Sequence, residues 1–106
     1  MKRTVYWTYF AEKKLDSIYS YYTNIAGKRV AQKLVNEIVE KSIKMEKSPF
    51  IGQLEPLLEN RKEKFRYIIH GNFKLIYWIN ELKNQIEIVN LFDCRQNPVL
   101  LEAQTK

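Results

Sequence analysis

The sequence contains very few of the residues that could form a disulfide framework or a metal centre. Cys94 is the only cysteine and His70 is the only histidine among the 106 residues. A single cysteine excludes an intrachain disulfide, which fits a protein of the reducing cytosol. Cysteine and histidine ligands are too few to assemble a metal site. We therefore expect the protein to use neither a metal nor another cofactor.

Long apolar runs are also missing. No stretch approaches the roughly 20 apolar residues that a membrane helix needs. The N-terminus enters a strand-like pattern without the apolar region of a signal peptide. We therefore expect a cytoplasmic protein that makes no contact with membranes. Hydrophobic residues still account for 45% of the chain, and this favours a single packed domain over residues 1–106.

Acidic residues are outnumbered. The chain has 18 Lys and Arg against 12 Asp and Glu, so its formal net charge is +6. Such an excess indicates an anionic partner, which could be nucleic acid, an acidic protein or a membrane surface. It fits simple solubility equally well, because net charge does not define a site.

The first half of the chain has the pattern of a strand followed by two helices. Residues 2–8 are rich in β-branched and aromatic types and predict a strand, and Thr8 is suited to cap a helix. Apolar residues then recur three and four positions apart up to Gly27, as on one helix face: Ala11, Leu15, Ile18, Tyr22 and Ile25. A second helical pattern runs from Lys28 to about Lys47 and ends before Pro49. The short link predicts an antiparallel helical hairpin.

The second half of the chain changes its period. Residues 48–62 contain two prolines and a glycine and predict a loop, held to the body by its apolar residues, with a helical turn within Pro56 to Asn60. Strands follow at 65–70, 73–79 and 86–92, the first two joined by Gly71-Asn72. The middle strand is apolar on both faces, so it should be central.

These elements predict an α+β domain with the order β-α-α-β-β-β. The two-helix hairpin should pack on a mostly antiparallel four-stranded sheet. The tail after about Leu101 should be loose.

Four segments, in this order along the chain, resemble the RelE/ParE superfamily of toxins. WTYFAEKKLDSIYSYY at Trp7–Tyr22 is similar to the family's opening strand-to-helix segment. SPFIGQ at Ser48–Gln53 is similar to the Pro-x-x-Gly that closes the second helix. FRYIIHGNFKLIYWI at Phe65–Ile79 resembles the central hairpin, and LFDCRQNP at Leu91–Pro98 resembles the last strand and the basic residue after it. The resemblance covers nearly the whole chain.

The resemblance implies the toxin of a bacterial type II toxin–antitoxin system, as in plasmid stabilisation. Such a toxin inhibits growth unless a cognate antitoxin neutralises it. Members of the ParE-like branch inhibit DNA gyrase, whereas members of the RelE-like branch cleave messenger RNA at the ribosome without a metal. A third alternative is a degenerate member that only binds an antitoxin. Because both branches share one scaffold, the fold does not decide between them.

The residues that could carry RNA cleavage are three cations. Arg66, Lys74 and Arg95 would hold the phosphate, and the resemblance implies basic residues at the positions of Lys74 and Arg95. Whether Arg66 and Lys74 share a face of the sheet depends on the strand register. A cleavage mechanism also needs an acid and a base. His70, Tyr67 and Tyr77 could act, but a histidine beside a turn is more often a turn residue, and a tyrosine in a strand more often packs the core or the sheet.

The chain lacks several residues that the RelE-like branch has at the matching positions. The RelE-like branch carries more basic residues where this chain has Tyr67 and Ile69, and a Tyr or His past the last basic position, where residues 96–102 have neither. We therefore favour the ParE-like branch and a protein that is not an enzyme.

A basic cluster precedes and enters the second predicted strand. It comprises Arg61, Lys62, Lys64 and Arg66. It could bind phosphates or an acidic segment of the antitoxin, or it could be a solvated loop. Arg95, where the last strand ends, is the candidate for target binding, and the alternative is an ion pair with Asp93 or Asp16.

Aromatic residues exceed what so small a core can hide. Some should therefore be exposed and mark a binding surface. Tyr19 and Tyr21 flank the buried stripe of the first helix, so they are the candidates for contacting the antitoxin. The alternative is that the loop at 48–62 covers them.

Overall fold

A computed structural model of the chain describes residues 3–105. The described residues form these helices and strands: β1 Thr4–Trp7, α1 Tyr9–Ala26, α2 Lys28–Lys44, β2 Gln53–Leu54, β3 Arg66–His70, β4 Phe73–Asn80, β5 Gln85–Asp93 and α3 Val99–Gln104. A 3-10 turn at Pro56–Leu58 follows β2, as predicted for that loop. The α+β class and the order of strands and helices are confirmed.

The sheet has the strand order β1-β5-β4-β3-β2. β1 runs parallel to β5, and the other three pairings are antiparallel. β4 is the central strand, as its apolar faces predicted. The sheet has five strands rather than four, because Gln53 and Leu54 pair with Tyr67 and Arg66 at its edge.

The ends of α1 and α2 follow from local chemistry. Thr8 caps α1, since its Oγ1 accepts a hydrogen bond of 3.2 Å from the Ala11 N–H. Gly27, with a φ of 95°, separates the two helices. α2 ends at Lys44 rather than near Lys47. Over residues 45–47 the backbone N–H groups bond to carbonyls three residues back, so the last turn is tightened rather than α-helical.

Both faces of the sheet are covered. The helical hairpin buries Ala11, Ile38 and Met45 against one face, where they meet these strand residues: Phe73, Leu75, Tyr77, Ile86, Ile88 and Leu91. On the opposite face, Leu58 and Leu101 pack with Phe65, Ile76 and Phe92. The sheet is therefore the middle layer of three.

The prediction that the tail is loose after about Leu101 is wrong. Residues 99–104 form α3, and Leu101 and Thr105 are buried. The Arg61 guanidinium donates to the carbonyls of Glu102, at 2.7 Å, and Thr105. The physical reason is the second apolar face of the sheet, which α3 shields from water.

Residues 49–58, which we call the edge loop, are fixed to the sheet. The buried Tyr77 hydroxyl donates to the Pro49 carbonyl at 2.9 Å and accepts from the Gly52 N–H at 2.8 Å. Arg66 Nη1 donates to the Gly52 carbonyl at 2.8 Å. The prediction that this loop is held to the body is thus confirmed.

Tyr77 should therefore contribute to stability through its hydroxyl. We expect Tyr77→Phe to lower the free energy of unfolding by about 1–3 kcal/mol, because a buried N–H and a carbonyl lose their partner. Urea denaturation measures the change. The matched control is Tyr67→Phe, because within residues 3–105 the Tyr67 hydroxyl bonds to the exposed side chain of Gln53 and to no buried backbone group. Equal losses in the two variants would contradict this role for Tyr77.

Candidate functional site

The strand register shows that Arg66 and Lys74 do not share a face of the sheet. Arg66 pairs with Tyr77, and Lys74 pairs with Ile69. Directly opposed residues of antiparallel strands lie on the same face, and neighbours along a strand alternate. Arg66 therefore lies on the face that the helical hairpin covers, and Lys74 lies on the face of α3.

Both cations have partners within the chain. Lys74 Nζ lies 2.7 Å from Oε1 of Glu55, whose side chain is only 1% exposed, and 4.3 Å from the centre of the Tyr67 ring. Arg66, besides its bond to the Gly52 carbonyl, lies over the Phe50 ring at 5.0 Å. The contacts with Glu55, Gly52 and Phe50 hold both cations against the edge loop, on opposite faces of the sheet.

Arg95 follows the end of β5 and forms an ion pair with Asp93. Its Nε and Nη2 donate to the two carboxylate oxygens at 2.9 and 2.7 Å, and its backbone N–H donates to Oδ1 at 2.9 Å. The hydrogen bond from Arg95 lowers the pKa of Asp93 below its usual value. The Arg95 side chain remains 52% exposed, so it is oriented yet open to a partner.

Arg95 stands at the rim of a groove between α1 and the ends of β4 and β5, which we call the aromatic groove. Its volume is about 370 Å³. The floor is apolar and consists of Ile18, Tyr22, Phe73 and Leu91. The rim carries Lys14, Ser17, Tyr21, Asp93, Arg95 and Gln96. Two cations thus border an apolar floor.

Aromatic rings lead from the surface of this groove into the core. Tyr21 is 52% exposed, and its ring meets Tyr22 edge to face at 5.1 Å between centroids. Tyr22 in turn meets Phe73 at 6.4 Å. Tyr21 and Arg95 therefore line the same groove, although they lie far apart along the chain.

Tyr19 does not belong to this groove. It is half-buried and is not among the groove's lining residues. Positions two residues apart on a helix differ by about 200° around its axis, so Tyr19 and Tyr21 point away from each other. The loop at 48–62 contributes no residue to the groove and leaves Tyr21 exposed.

Lys14, Tyr22 and Phe73 also line the groove, and none of them was predicted as a site residue. Burial lowers the pKa of Lys14, and its Nζ donates to Gln104 Oε1 at 3.0 Å. A signal was present for Lys14, because positions 14 and 21 are two turns apart on one side of α1. Phe73 gave no such signal, since it reaches the groove only through the tertiary fold.

The predicted basic cluster is divided. Arg61 bonds to carbonyls of α3, and Arg66 bonds to the Gly52 carbonyl. Lys62 and Lys64 are exposed.

Within residues 3–105, no three Cys, His, Asp or Glu side chains come together as a potential metal site. Over the same range, no helix has the length and apolar character needed to cross a membrane.

A helical hairpin packed on a mostly antiparallel sheet, with a groove beside its last strand, defines a RelE/ParE-like α+β domain. The chain belongs to the ParE toxin family: the family model, described as the ParE toxin of the type II toxin–antitoxin system parDE, matches residues 5–98. The protein is thus a ParE-type toxin of a toxin–antitoxin system. The predicted superfamily and its ParE-like branch are confirmed.

Solved structures agree with this fold. A chain of the chromosomal ParDE system from P. aeruginosa has a TM-score of 0.71 and 22% identity, covering 87% of this chain and 96% of that one. A chain of the RelBE2 toxin–antitoxin complex from Mycobacterium tuberculosis has a TM-score of 0.65 and 15% identity, covering 88% and 99%. A double mutant of the E. coli toxin RelE in the free state has a TM-score of 0.64 and 13% identity, covering 97% and 95%. The search of curated proteins gave no significant match.

Proposed function

We propose that this toxin binds its cognate antitoxin through the aromatic groove and, when free in the cytosol, inhibits DNA gyrase without cutting RNA. The observation that carries the non-enzymatic part is the separation of Arg66, Lys74 and Arg95. Arg66 and Lys74 lie on opposite faces of the sheet, and Arg95 is paired with Asp93 beyond the end of β5. The family match supports gyrase over the ribosome as the target.

Metal-free RNA cleavage needs cations, an acid and a base around one phosphate. The Lys74 charge is offset by the buried Glu55 carboxylate. The three acid–base candidates also have partners within the chain. His70 Nε2 lies 3.1 Å from Glu37 Oε1, the Tyr77 hydroxyl is buried and bonded to the edge loop, and the Tyr67 hydroxyl donates to Gln53 Oε1 at 3.1 Å. These placements favour a toxin that acts by binding a protein over one that cleaves RNA.

The aromatic groove suits an amphipathic segment of an antitoxin. Its apolar floor can take an apolar anchor, and Lys14 and Arg95 at the rim can pair with carboxylates. The similar structures from P. aeruginosa and M. tuberculosis come from toxin–antitoxin systems, which supports a partner of this kind. An antitoxin in the groove would cover Arg95, the residue expected to contact the target. The antitoxin would then neutralise the toxin because it competes with the target for Arg95.

The groove is tested by substitutions on α1. We expect Tyr21→Ala to weaken antitoxin binding by about 30-fold, the usual size of an aromatic hot spot. The probe is the cognate antitoxin, and calorimetry gives the affinity. Tyr9→Ala is the matched control, because Tyr9 is 72% exposed on the same helix but lies outside the groove. A control that loses as much affinity as Tyr21→Ala would argue against the groove.

The target is tested by expressing the chain alone in bacteria. We expect growth arrest with altered DNA supercoiling or cleaved DNA, and with intact transcripts. Rapid transcript cleavage that Arg95→Ala abolishes would instead establish the RelE-like ribonuclease. Normal growth would identify a degenerate antitoxin-binding module.

A further inference from the structure

A second hollow adjoins the aromatic groove near the start of α1. It lies between α1, β5 and α3 and has a volume of about 430 Å³, and we call it the α3 hollow. Five residues line it: Thr8, Phe10, Val89, Ala103 and Gln104. Lys14, on the rim of the aromatic groove, donates from Nζ to Gln104 Oε1 at 3.0 Å. This hydrogen bond therefore marks the boundary between the groove and the α3 hollow.

One side of α1 runs along both hollows. Phe10, Lys14, Ser17 and Tyr21 follow at spacings of four, three and four residues, which places them on the same side of a helix. Phe10 lines the α3 hollow, and the other three line the aromatic groove. The distance along the helix from Phe10 to Tyr21 is about 16 Å, since each residue adds about 1.5 Å. A partner segment that lies along α1 can therefore reach both hollows.

Lys14 is a half-buried cation without a carboxylate partner. Within residues 3–105 it forms no ion pair, and its hydrogen bond goes to the neutral amide of Gln104. Burial lowers the pKa of Lys14, and attraction to Asp93 opposes this effect without a direct bond, because that carboxylate is bonded to Arg95. A partly desolvated ammonium gains free energy when a carboxylate is brought beside it.

The charges around the two hollows leave that of Lys14 unbalanced. Of the acidic residues that the structure describes, Asp93 alone lines the aromatic groove, and none lines the α3 hollow. Asp93 is paired with Arg95 at 2.7 Å. The acidic residues of α1, Glu12 and Asp16, are each two positions from Lys14 and thus about 200° away around the helix axis. One negative group between two apolar parts complements this surface.

We propose that Lys14 recognises a carboxylate of the antitoxin, in a segment that places apolar side chains in the aromatic groove on one side and in the α3 hollow on the other. The carboxylate replaces Gln104 Oε1 as the partner of the ammonium, and Gln104 keeps its 3.3 Å bond from the buried Asn90. This inference rests on the proposed function, in which the antitoxin binds the groove. It adds the residue that selects an acidic side chain and a second apolar contact.

Nucleic acid fits this surface less well. A strand carries a phosphate at every nucleotide and needs cations along its whole path. The two hollows together offer one cation outside an ion pair, Lys14, with apolar side chains to either side. A single carboxylate on an amphipathic protein segment matches that arrangement.

The first test changes the cation. We expect Lys14→Met to weaken antitoxin binding about tenfold, the effect of removing a hydrogen bond to a charged group. Lys14→Arg keeps a cation and should stay within about threefold of wild type. The matched control is Lys13→Met, which removes the same charge from α1 outside both hollows, where Lys13 lies over the Tyr9 ring. Its effect should be below about twofold. Calorimetry with the cognate antitoxin measures all four affinities.

The second test supplies a carboxylate from within the toxin. In Gln104→Glu the new side chain pairs with Lys14 and should compete with the carboxylate of the antitoxin. We expect affinity to fall about tenfold while the melting temperature does not fall, because the free toxin gains an ion pair. A purely structural role for Lys14 predicts unchanged affinity. Val99→Glu is the control, since it adds the same charge to α3 at a position that is 69% exposed and outside both hollows.

The third test identifies the partner group and the second contact. Each Asp and Glu of the antitoxin is replaced in turn by its amide. One replacement should cost about tenfold with wild-type toxin and nothing more with Lys14→Met, the result expected for a direct pair. Ala103→Phe fills the α3 hollow from an exposed position of α3 and should also weaken binding about tenfold. Circular dichroism melting curves show that each variant is folded.

The outcomes separate the inference from the proposed function. Weak binding by Tyr21→Ala, with wild-type affinity in Lys14→Met and Gln104→Glu, keeps the groove as the antitoxin site and overturns the inference. Wild-type affinity in all three variants overturns both. Weak binding by Lys14→Met without coupling to any antitoxin carboxylate, or wild-type affinity in Ala103→Phe, also overturns the inference. Binding of a single-stranded DNA or RNA oligonucleotide that Lys14→Met abolishes would assign the surface to nucleic acid instead.

Discussion

Replacing Lys74 with methionine should lower the free energy of unfolding by about 3–5 kcal/mol, the range for breaking a buried ion pair at one partner. The Glu55 carboxylate is 1% exposed and lies 2.7 Å from Lys74 Nζ. Without the lysine, its remaining bond to protein is the one from the Leu57 N–H at 3.1 Å. The methionine keeps most of the apolar stem of the lysine and loses only the ammonium group, which lies over the Tyr67 ring. Chemical denaturation at neutral pH measures the loss.

The control removes both charges. Adding Glu55→Gln to Lys74→Met should restore most of the stability, because a neutral amide costs far less to bury than an unpaired carboxylate. This double variant also separates structure from catalysis. It lacks the Lys74 cation but should keep the fold, so a gyrase-directed toxin should still arrest growth. A single variant as stable as wild type would show that the Glu55–Lys74 pair contributes little.

Replacing Gly52 with alanine should be nearly as damaging, with a loss of about 3 kcal/mol from overpacking. A Cβ at this position would lie 2.6 Å from both the Tyr67 carbonyl oxygen and the Tyr77 hydroxyl. Tyr67 is fixed by its pairing with Ile76, and Tyr77 is fully buried. The edge loop would have to move away and give up its bonds to Tyr77. Thermal and urea unfolding both report the change.

Gly71→Ala provides the comparison. Nothing lies within 4 Å of the added Cβ there, but the φ of +59° is unfavourable for alanine. We expect a loss of about 1–2 kcal/mol from that backbone conformation alone. If Gly52→Ala were the milder of the two, the close approach of the edge loop to Tyr77 would not limit the fold.

Local patterns predicted most of the architecture. Thr8 caps a helix through its own side chain, and Gly71 supplies the positive φ of a tight turn, so each can be identified from its neighbours alone. The apolar spacing of α1 and the alternation in β4 reflect the periods of helix and strand. The glycine of the SPFIGQ segment is different, because Gly52 lies against Tyr77, 25 residues further along the chain, and local pattern does not explain it.

The remaining features depend on contacts between distant residues. The faces of Arg66 and Lys74 follow from the β3–β4 register, which alternation alone does not fix. α3 forms against an apolar face that only the assembled sheet provides. Tyr21 and Arg95 could be chosen as candidates from the sequence. The groove that they share could not be predicted, because Tyr22 and Phe73 also line it and Phe73 reaches it only in the folded chain. Its proposed role in binding the antitoxin stays a prediction until the affinities are measured.

The pairing of β1 with β5 has a consequence for how the toxin is made. Thr4 lies beside Gln85, so the first strand acquires its partner only after the ribosome has synthesised most of the chain. Contacts this far apart in sequence close a long loop and form late in folding. The α1–α2 hairpin can form while synthesis continues, but β1 stays unpaired. A nascent chain that stops before β5 therefore carries an incomplete sheet, in which β1 has no partner strand.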